Sequence, residues 1–188
     1  MSDAMDNIKK WAEEMSEYEP VSWDRLPQIY LYMDQVITYM EGHLKPFESE
    51  DGGKLLTSSM INNYVKDNVL PRPEQKKYSP EHLAILTVIC MLKPVLSLPN
   101  ISYLINEQRH HNKGRLYDMF CITQASAMKE VCERVEKVSP RRENEMLRLA
   151  VELTMEANAR RIAAEKIVNE MSAQQREKNK EDARKSKK

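Results

Sequence analysis

Glycine and aromatic residues are scarce in this 188-residue chain, which has four glycines, two phenylalanines, two tryptophans and an aromatic content of 6%. Sandwiches and barrels draw on turn glycines and on aromatic or β-branched strands, so the scarcity argues against sheet. The plentiful Met, Glu, Lys and Ala argue for helix. Net charge is also missing. Lys and Arg number 29 and Asp and Glu number 29, a formal net charge of +0, so no global field draws the protein to nucleic acid or membrane, and any such binding rests on a local patch. No apolar run is long enough to span a bilayer, and the N-terminus lacks the apolar core of a signal peptide, so a cytoplasmic protein with no membrane partner is expected. Cys90, Cys121 and Cys132 have no metal-ligand spacing and cannot all pair, which fits a reducing compartment. The chain has no Ser/His/Asp set, no paired carboxylates, no phosphate loop and no zinc spacing. The expectation is therefore a non-enzyme with no metal and no cofactor.

The charge that is present is unevenly spread. Asp3, Asp6, Glu13, Glu14, Glu17 and Glu19 crowd the start, while Arg176, Lys178, Lys180, Arg184, Lys185, Lys187 and Lys188 make the end basic. Between them the apolar residues recur at helical spacing. Ile8, Trp11, Ala12 and Met15 predict a short first helix ending before Pro20. Ile29, Met33, Val36, Ile37 and Met40 predict a second, from about Gln28 to Leu44, and Pro46, Gly52 and Gly53 then predict a loop. Thr57 stands as N-cap of a short helix from Ser58 to about Asp67, ended by Asn68 and stopped by Pro71 and Pro73. Ser79, Pro80 and Glu81 open the next helix, and Pro94 ends it. A further short helix follows from Ser97 to Ile105. Tyr117, Cys121, Met128, Val131, Val135 and Val138 keep a heptad-like seam. A second seam starts at Ser139-Pro140 and runs through Met146, Ala150, Leu153, Ala157, Ala164, Ile167 and Met171, with Arg160 as its one fault. Apolar residues vanish after Ser172, which predicts a frayed or disordered tail. His82, in the first turn of its helix, reads as a surface residue, and His110-His111 as a polar loop or helix end.

The stretch from Leu56 to Ile105 is the most informative. Ile61 and Tyr64 give an Ile-x-x-Tyr pattern on a short helix, Asn68-Val69-Leu70-Pro71 a turn, and Lys77-Tyr78 the end of a basic segment. Leu83, Leu86 and Ile89, then Ser97-Leu98 with Ile101, follow on two more helices. Together these residues resemble the head of MerR-family regulators, whose recognition helix runs into a Gly-Leu-Leu-Pro turn, an Arg-Tyr wing and two helices. Here Asn68 replaces the turn glycine, and the wing keeps only Glu74-Gln75-Lys76-Lys77. The stretches Leu31-Tyr32-Met33-Asp34-Gln35-Val36 and Met60-Ile61-Asn62-Asn63-Tyr64 also resemble a branch of uncharacterised bacterial domains. The resemblance implies an all-α fold: a MerR-like (winged) helix-turn-helix head with a short or degenerate wing, followed by long C-terminal helices. The corresponding division is an acidic segment over 1–24, the head over 25–108, a helical dimerisation region over 109–172 and a basic tail over 173–188.

A helix entering the major groove needs short polar side chains facing the bases, and Ser58, Ser59, Asn62 and Asn63 supply them. Lys66, Arg72, Lys76 and Lys77 are the expected phosphate contacts, which position the protein without reading sequence, and Tyr78 at the end of the wing completes the expected DNA-binding set. The expected partner is double-stranded DNA, read by a homodimer paired through the C-terminal seams. The alternative for those seams is a hairpin within one chain. The seam methionines Met119, Met128, Met146, Met155 and Met171 leave room for an apolar small-molecule effector of unknown identity. The rival function is a protein-interaction adaptor that keeps the head as scaffold without DNA contact. One role open to the acidic segment is to cover the basic face of the head.

Overall fold

The structure is a computed structural model that describes residues 2–47, 53–107, 113–138 and 143–185. Seven helices are present among them: α1 (Ser2–Ser16), α2 (Met33–Leu44), α3 (Ser58–Lys66), α4 (Pro80–Leu92), α5 (Leu98–Glu107), α6 (Lys113–Lys137) and α7 (Glu143–Lys185). No β-strand occurs among the described residues, only the isolated bridges Leu31 to Tyr78 and Glu74 to Lys77. The chain is all-helical, as its composition predicts. No helix among the described residues is long and apolar enough to cross a membrane.

The start and stop chemistry of α3 and α4 is seen directly. The Thr57 hydroxyl accepts the Met60 N–H at 3.2 Å, taking up one of the orphan amides of the first turn. Asn68 ends α3 at φ 57, and the Tyr64 carbonyl accepts the Val69 and Leu70 amides at 2.9 and 3.0 Å. Pro80 sits in the first turn of α4, where its missing N–H costs nothing. His82 to Cys90 are all buried, so α4 is the central helix on which α2, α5 and α6 pack.

The main core runs from Leu26 to Cys121 and includes Val36, Met40, Ile61, Leu83, Leu86, Ile89 and Ile101. A smaller core lies elsewhere, where Ala12 and Met15 of α1 meet Cys132, Val135 and Leu149. The Arg134 guanidinium reaches the Glu156 carboxylate at 2.8 Å, and Arg160 lies 3.8 Å from Glu130. As position rises along one helix it falls along the other, so α6 and α7 run antiparallel. Met128, Val135 and Val138 of the first seam and Met146 and Leu153 of the second meet in this hairpin within the chain, beside Cys132 and Leu149, which neither seam included. Ala150, Ala157, Ile167 and Met171 of the second seam are exposed instead. Arg160, the fault in the seam, is exposed and ion-paired.

Four expectations are corrected. Residues 28–32 are not helical: Leu31 exchanges backbone hydrogen bonds with Tyr78 at 2.9 and 2.8 Å. α2 therefore begins at Met33, and Ile29 is 64% exposed instead of in the core. α7 continues past Ser172 to Lys185, carried by good helix formers and local pairs such as the Gln175 amide donating to Asn179 at 3.1 Å. His82 is buried, at 7% exposed. α1 lays its apolar face on α6, so the acidic segment does not cover α3. The His110-His111 pair and the Ser139-Pro140 start lie outside the described residues.

Candidate nucleic-acid interface

The nine residues of α3 divide cleanly by face. Ile61 and Tyr64 point into the main core, while Ser58, Ser59, Asn62, Asn63 and Lys66 are exposed. Spacings of three and four residues put the exposed set on one side. Burying only Ile61 and Tyr64 fixes the helix against the head while leaving its polar face outward. The Tyr64 ring is held from the other side by Lys93, whose ammonium lies 5.9 Å from the ring centroid.

Past the Asn68 turn, Arg72 is exposed, and the chain makes a minimal hairpin. The Lys77 N–H donates to the Glu74 carbonyl at 2.8 Å, with Gln75 and Lys76 at φ 49 and 64 between them. Two central residues of positive φ define a hairpin turn of primed type, usually made by Asn-Gly. The segment expected to be a wing forms this turn alone. Lys76 is exposed and Lys77 half-buried. The Lys77 ammonium stands 5.4 Å from the Tyr32 ring centroid.

Beneath the wing, the Nδ1 of His82 accepts the Ser79 N–H at 3.0 Å and lies 2.7 Å from the Ser79 hydroxyl. Its ring meets Tyr78 edge-on at 5.4 Å. Burial holds His82 below the ordinary histidine value, against the opposing pull of the Pro71 backbone and of Glu81. His82 thus braces the start of α4 through its own Ser79.

Of the expected contacts, Ser58, Ser59, Asn62, Asn63 and Lys66 share one helix face, with Arg72, Lys76 and Lys77 on the segment that follows. Tyr78 is the exception. Its side chain is 3% exposed in the main core, because its backbone pairing with Leu31 turns it inward, so it anchors the wing and offers no ring to a ligand. The sequence reading missed Tyr30 and Tyr32, which are exposed beside the wing. The signal for them was the alternation of Tyr30, Leu31 and Tyr32, which a two-residue period would have read as extended.

Elsewhere the chemistry is quiet. Burial raises the thiols of Cys90 (to about 12), Cys121 and Cys132, so they behave as small apolar groups. No cluster of His, Cys, Asp and Glu among the described residues could hold a metal ion. The seam methionines do not converge: Met119, Met155 and Met171 are exposed. Met128 lines a hollow of about 320 Å³ with Trp11, Met15, Phe47 and Cys90.

The model of one protein family, described as a domain of unknown function (DUF1836), matches residues 21–121. The chain belongs to that family. The DUF1836 segment spans the residues of the main core, from Leu26 to Cys121, and carries α3, the wing and the buried His82. α1 and α7 lie outside it. Nothing among curated proteins or solved structures matches the chain.

Proposed function

We propose that this DUF1836 protein is a MerR-like DNA-binding transcriptional regulator that lays α3 in the major groove of duplex DNA. The observation that carries the reading is the exposed polar face of α3, with Arg72, Lys76 and Lys77 on the segment that follows. Asn62 and Asn63 have the amide geometry to pair with adenine, at about 1–3 kcal/mol of discrimination for a good bidentate contact. Ser58 and Ser59 stand in the first turn and accept or donate as the base edge requires. Lys66, Arg72, Lys76 and Lys77 hold phosphates, and each such contact makes affinity fall as salt rises. The protein acts through binding, with no catalytic step.

One head reads one half-site, so the regulator works as a homodimer. Since Val135, Met146 and Leu153 are used within the chain, the second copy meets the outer face of α7, where Leu147, Val151, Met155 and Ile162 are exposed. The same apolar face supports the second reading, an adaptor that binds another protein and uses the head as scaffold.

Electrophoretic competition separates the two. A duplex from the gene's own upstream region should outcompete a scrambled duplex, and Asn63→Ala should erase that preference. Lys76→Ala with Lys77→Ala should weaken binding to both duplexes alike. Binding that is equal for the two duplexes and indifferent to all three substitutions would retire the regulator in favour of the adaptor.

A further inference from the structure

The segment before α2 and the tip of the wing depart from local rules in the same place. Ile29, Tyr30 and Tyr32 are 64%, 57% and 51% exposed, while Leu31 between them is buried. Both backbone hydrogen bonds of Leu31 go to Tyr78, and side chains alternate along extended backbone. Tyr30 and Tyr32 therefore stand on the side away from the core. Tyr30, Glu74, Gln75 and Lys77 line one shallow concavity of about 640 Å³, and Lys77 also stands over the Tyr32 ring. The turn framing the concavity holds Gln75 and Lys76 at positive φ, where glycine or asparagine would sit with less strain. Exposed rings and a strained turn each cost stability, and such costs gather where a surface has work to do.

We propose that Tyr30 and Tyr32, with Gln75, Lys76 and Lys77, form a second clamp on the sugar–phosphate backbone of the duplex whose groove α3 enters. The clamp rests on the DNA-binding reading and extends it to residues outside the helix and the wing. Phenol hydroxyls, the Gln75 amide and the lysine ammoniums are all donors, and phosphate oxygens accept. The flat ring faces suit the apolar edge of deoxyribose. Lys76 and Lys77 give the cluster the cationic excess a phosphate requires. The Glu74 carboxylate shares the concavity and opposes the phosphate, which lowers affinity. That opposition separates the clamp from a protein-docking patch. A partner bound by burial of Ile29, Tyr30 and Tyr32 would be nearly indifferent to salt and to Glu74.

The test uses the full chain and a fluorescein-labelled duplex of mixed sequence, followed by anisotropy across a salt series. Tyr30→Phe, which removes only a hydroxyl, should weaken binding about threefold, and Tyr30→Ala with Tyr32→Ala about tenfold. Glu74→Gln should tighten binding by about threefold as the opposing charge is removed. Thermal melting by circular dichroism shows that each variant keeps the fold. Tyr30→Phe and Glu74→Gln are surface changes that carry the test if the double variant does not fold. Wild-type binding that none of these changes alters would overturn the clamp and leave the role of α3 standing. A folded wild type that binds no duplex at low salt would overturn both. Tyrosine variants that bind DNA normally but change the sedimentation of the free protein would give the patch to protein–protein contact and overturn the clamp.

Discussion

The DUF1836 head and the helical arm built from α1, the rest of α6 and α7 are stabilised in different ways. In the head, nine successive residues of α4 are buried, and Val36, Met40, Ile61, Leu83, Leu86, Ile89 and Ile101 are essentially inaccessible. The arm has a core of five buried residues, ion pairs between its two long helices, and an apolar row on α7 facing outward. A helix packed on all sides gains its stability from burial. A long helix packed along one stripe leans on its own propensity and on local pairs, which contribute a few tenths of a kcal/mol each. The head is therefore the rigid platform that an interface requires. The arm is joined to the head through α6 and through α7 packed on α5, where the Asn100 amide donates to Asn169 at 3.0 Å.

Core truncations should expose this contrast most strongly. Leu86→Ala in the head should cost about 2–5 kcal/mol in chemical denaturation, because a fully enclosed cavity cannot collapse. Leu149→Ala in the arm, at the edge of a small core, should cost clearly less. An equal or larger loss at Leu149 would break the comparison. Next in size is the cap of α3. Thr57→Ala should destabilise the head by about 1 kcal/mol, and Thr57→Ser, which keeps the oxygen, should recover most of it.

The pH response should also belong to the head. His82 and His43 are both held below their ordinary value, chiefly by burial, so the folded state binds fewer protons than the unfolded one. Their contribution is fully present above the unfolded value of about 6.5 and is lost as pH falls through it toward the folded values. Denaturation midpoints should drop between about pH 7.5 and about pH 5.5, and His82→Gln with His43→Gln should flatten that drop. An unchanged slope would remove these two histidines from the account. The smallest effect is expected at Arg134. Its pair with Glu156 is partly exposed and screened, so Arg134→Ala should produce a slight loss that vanishes at high salt.

Features set by neighbours along the chain were legible in the sequence. Thr57, Asn68, Ser79 and Pro80 act within one helical turn, and each does what its chemistry implies. The periodic apolar rows of α3, α4 and α6 likewise identified Ile61, Tyr64, Leu83, Leu86 and Cys121 as core. The features that escaped depend on distant partners. Ile29 and Met33 fall at a helical interval, but Leu31 is claimed by Tyr78 far along the chain, which pulls the segment straight and turns the Tyr78 ring inward. His82 reads as a surface residue until the turn after α3 folds over it. The α6 and α7 seams look alike for pairing within a chain or between chains, and the cross-helix ion pairs of Arg134 and Arg160 show the first. On the candidate interface, the faces of α3 were legible from period alone, whereas Tyr30 and Tyr32 needed the Leu31 bridge to be seen.

The central claim is that the polar face of α3 and the cations beyond it bind duplex DNA. Its most direct test is the affinity of the full chain for its upstream duplex as a function of salt. The account predicts binding that falls linearly in log–log form as salt rises, with a slope made shallower by about two when Lys76 and Lys77 are both replaced by alanine. Absence of binding at low salt by a folded protein, or a slope that ignores both lysines, would contradict it.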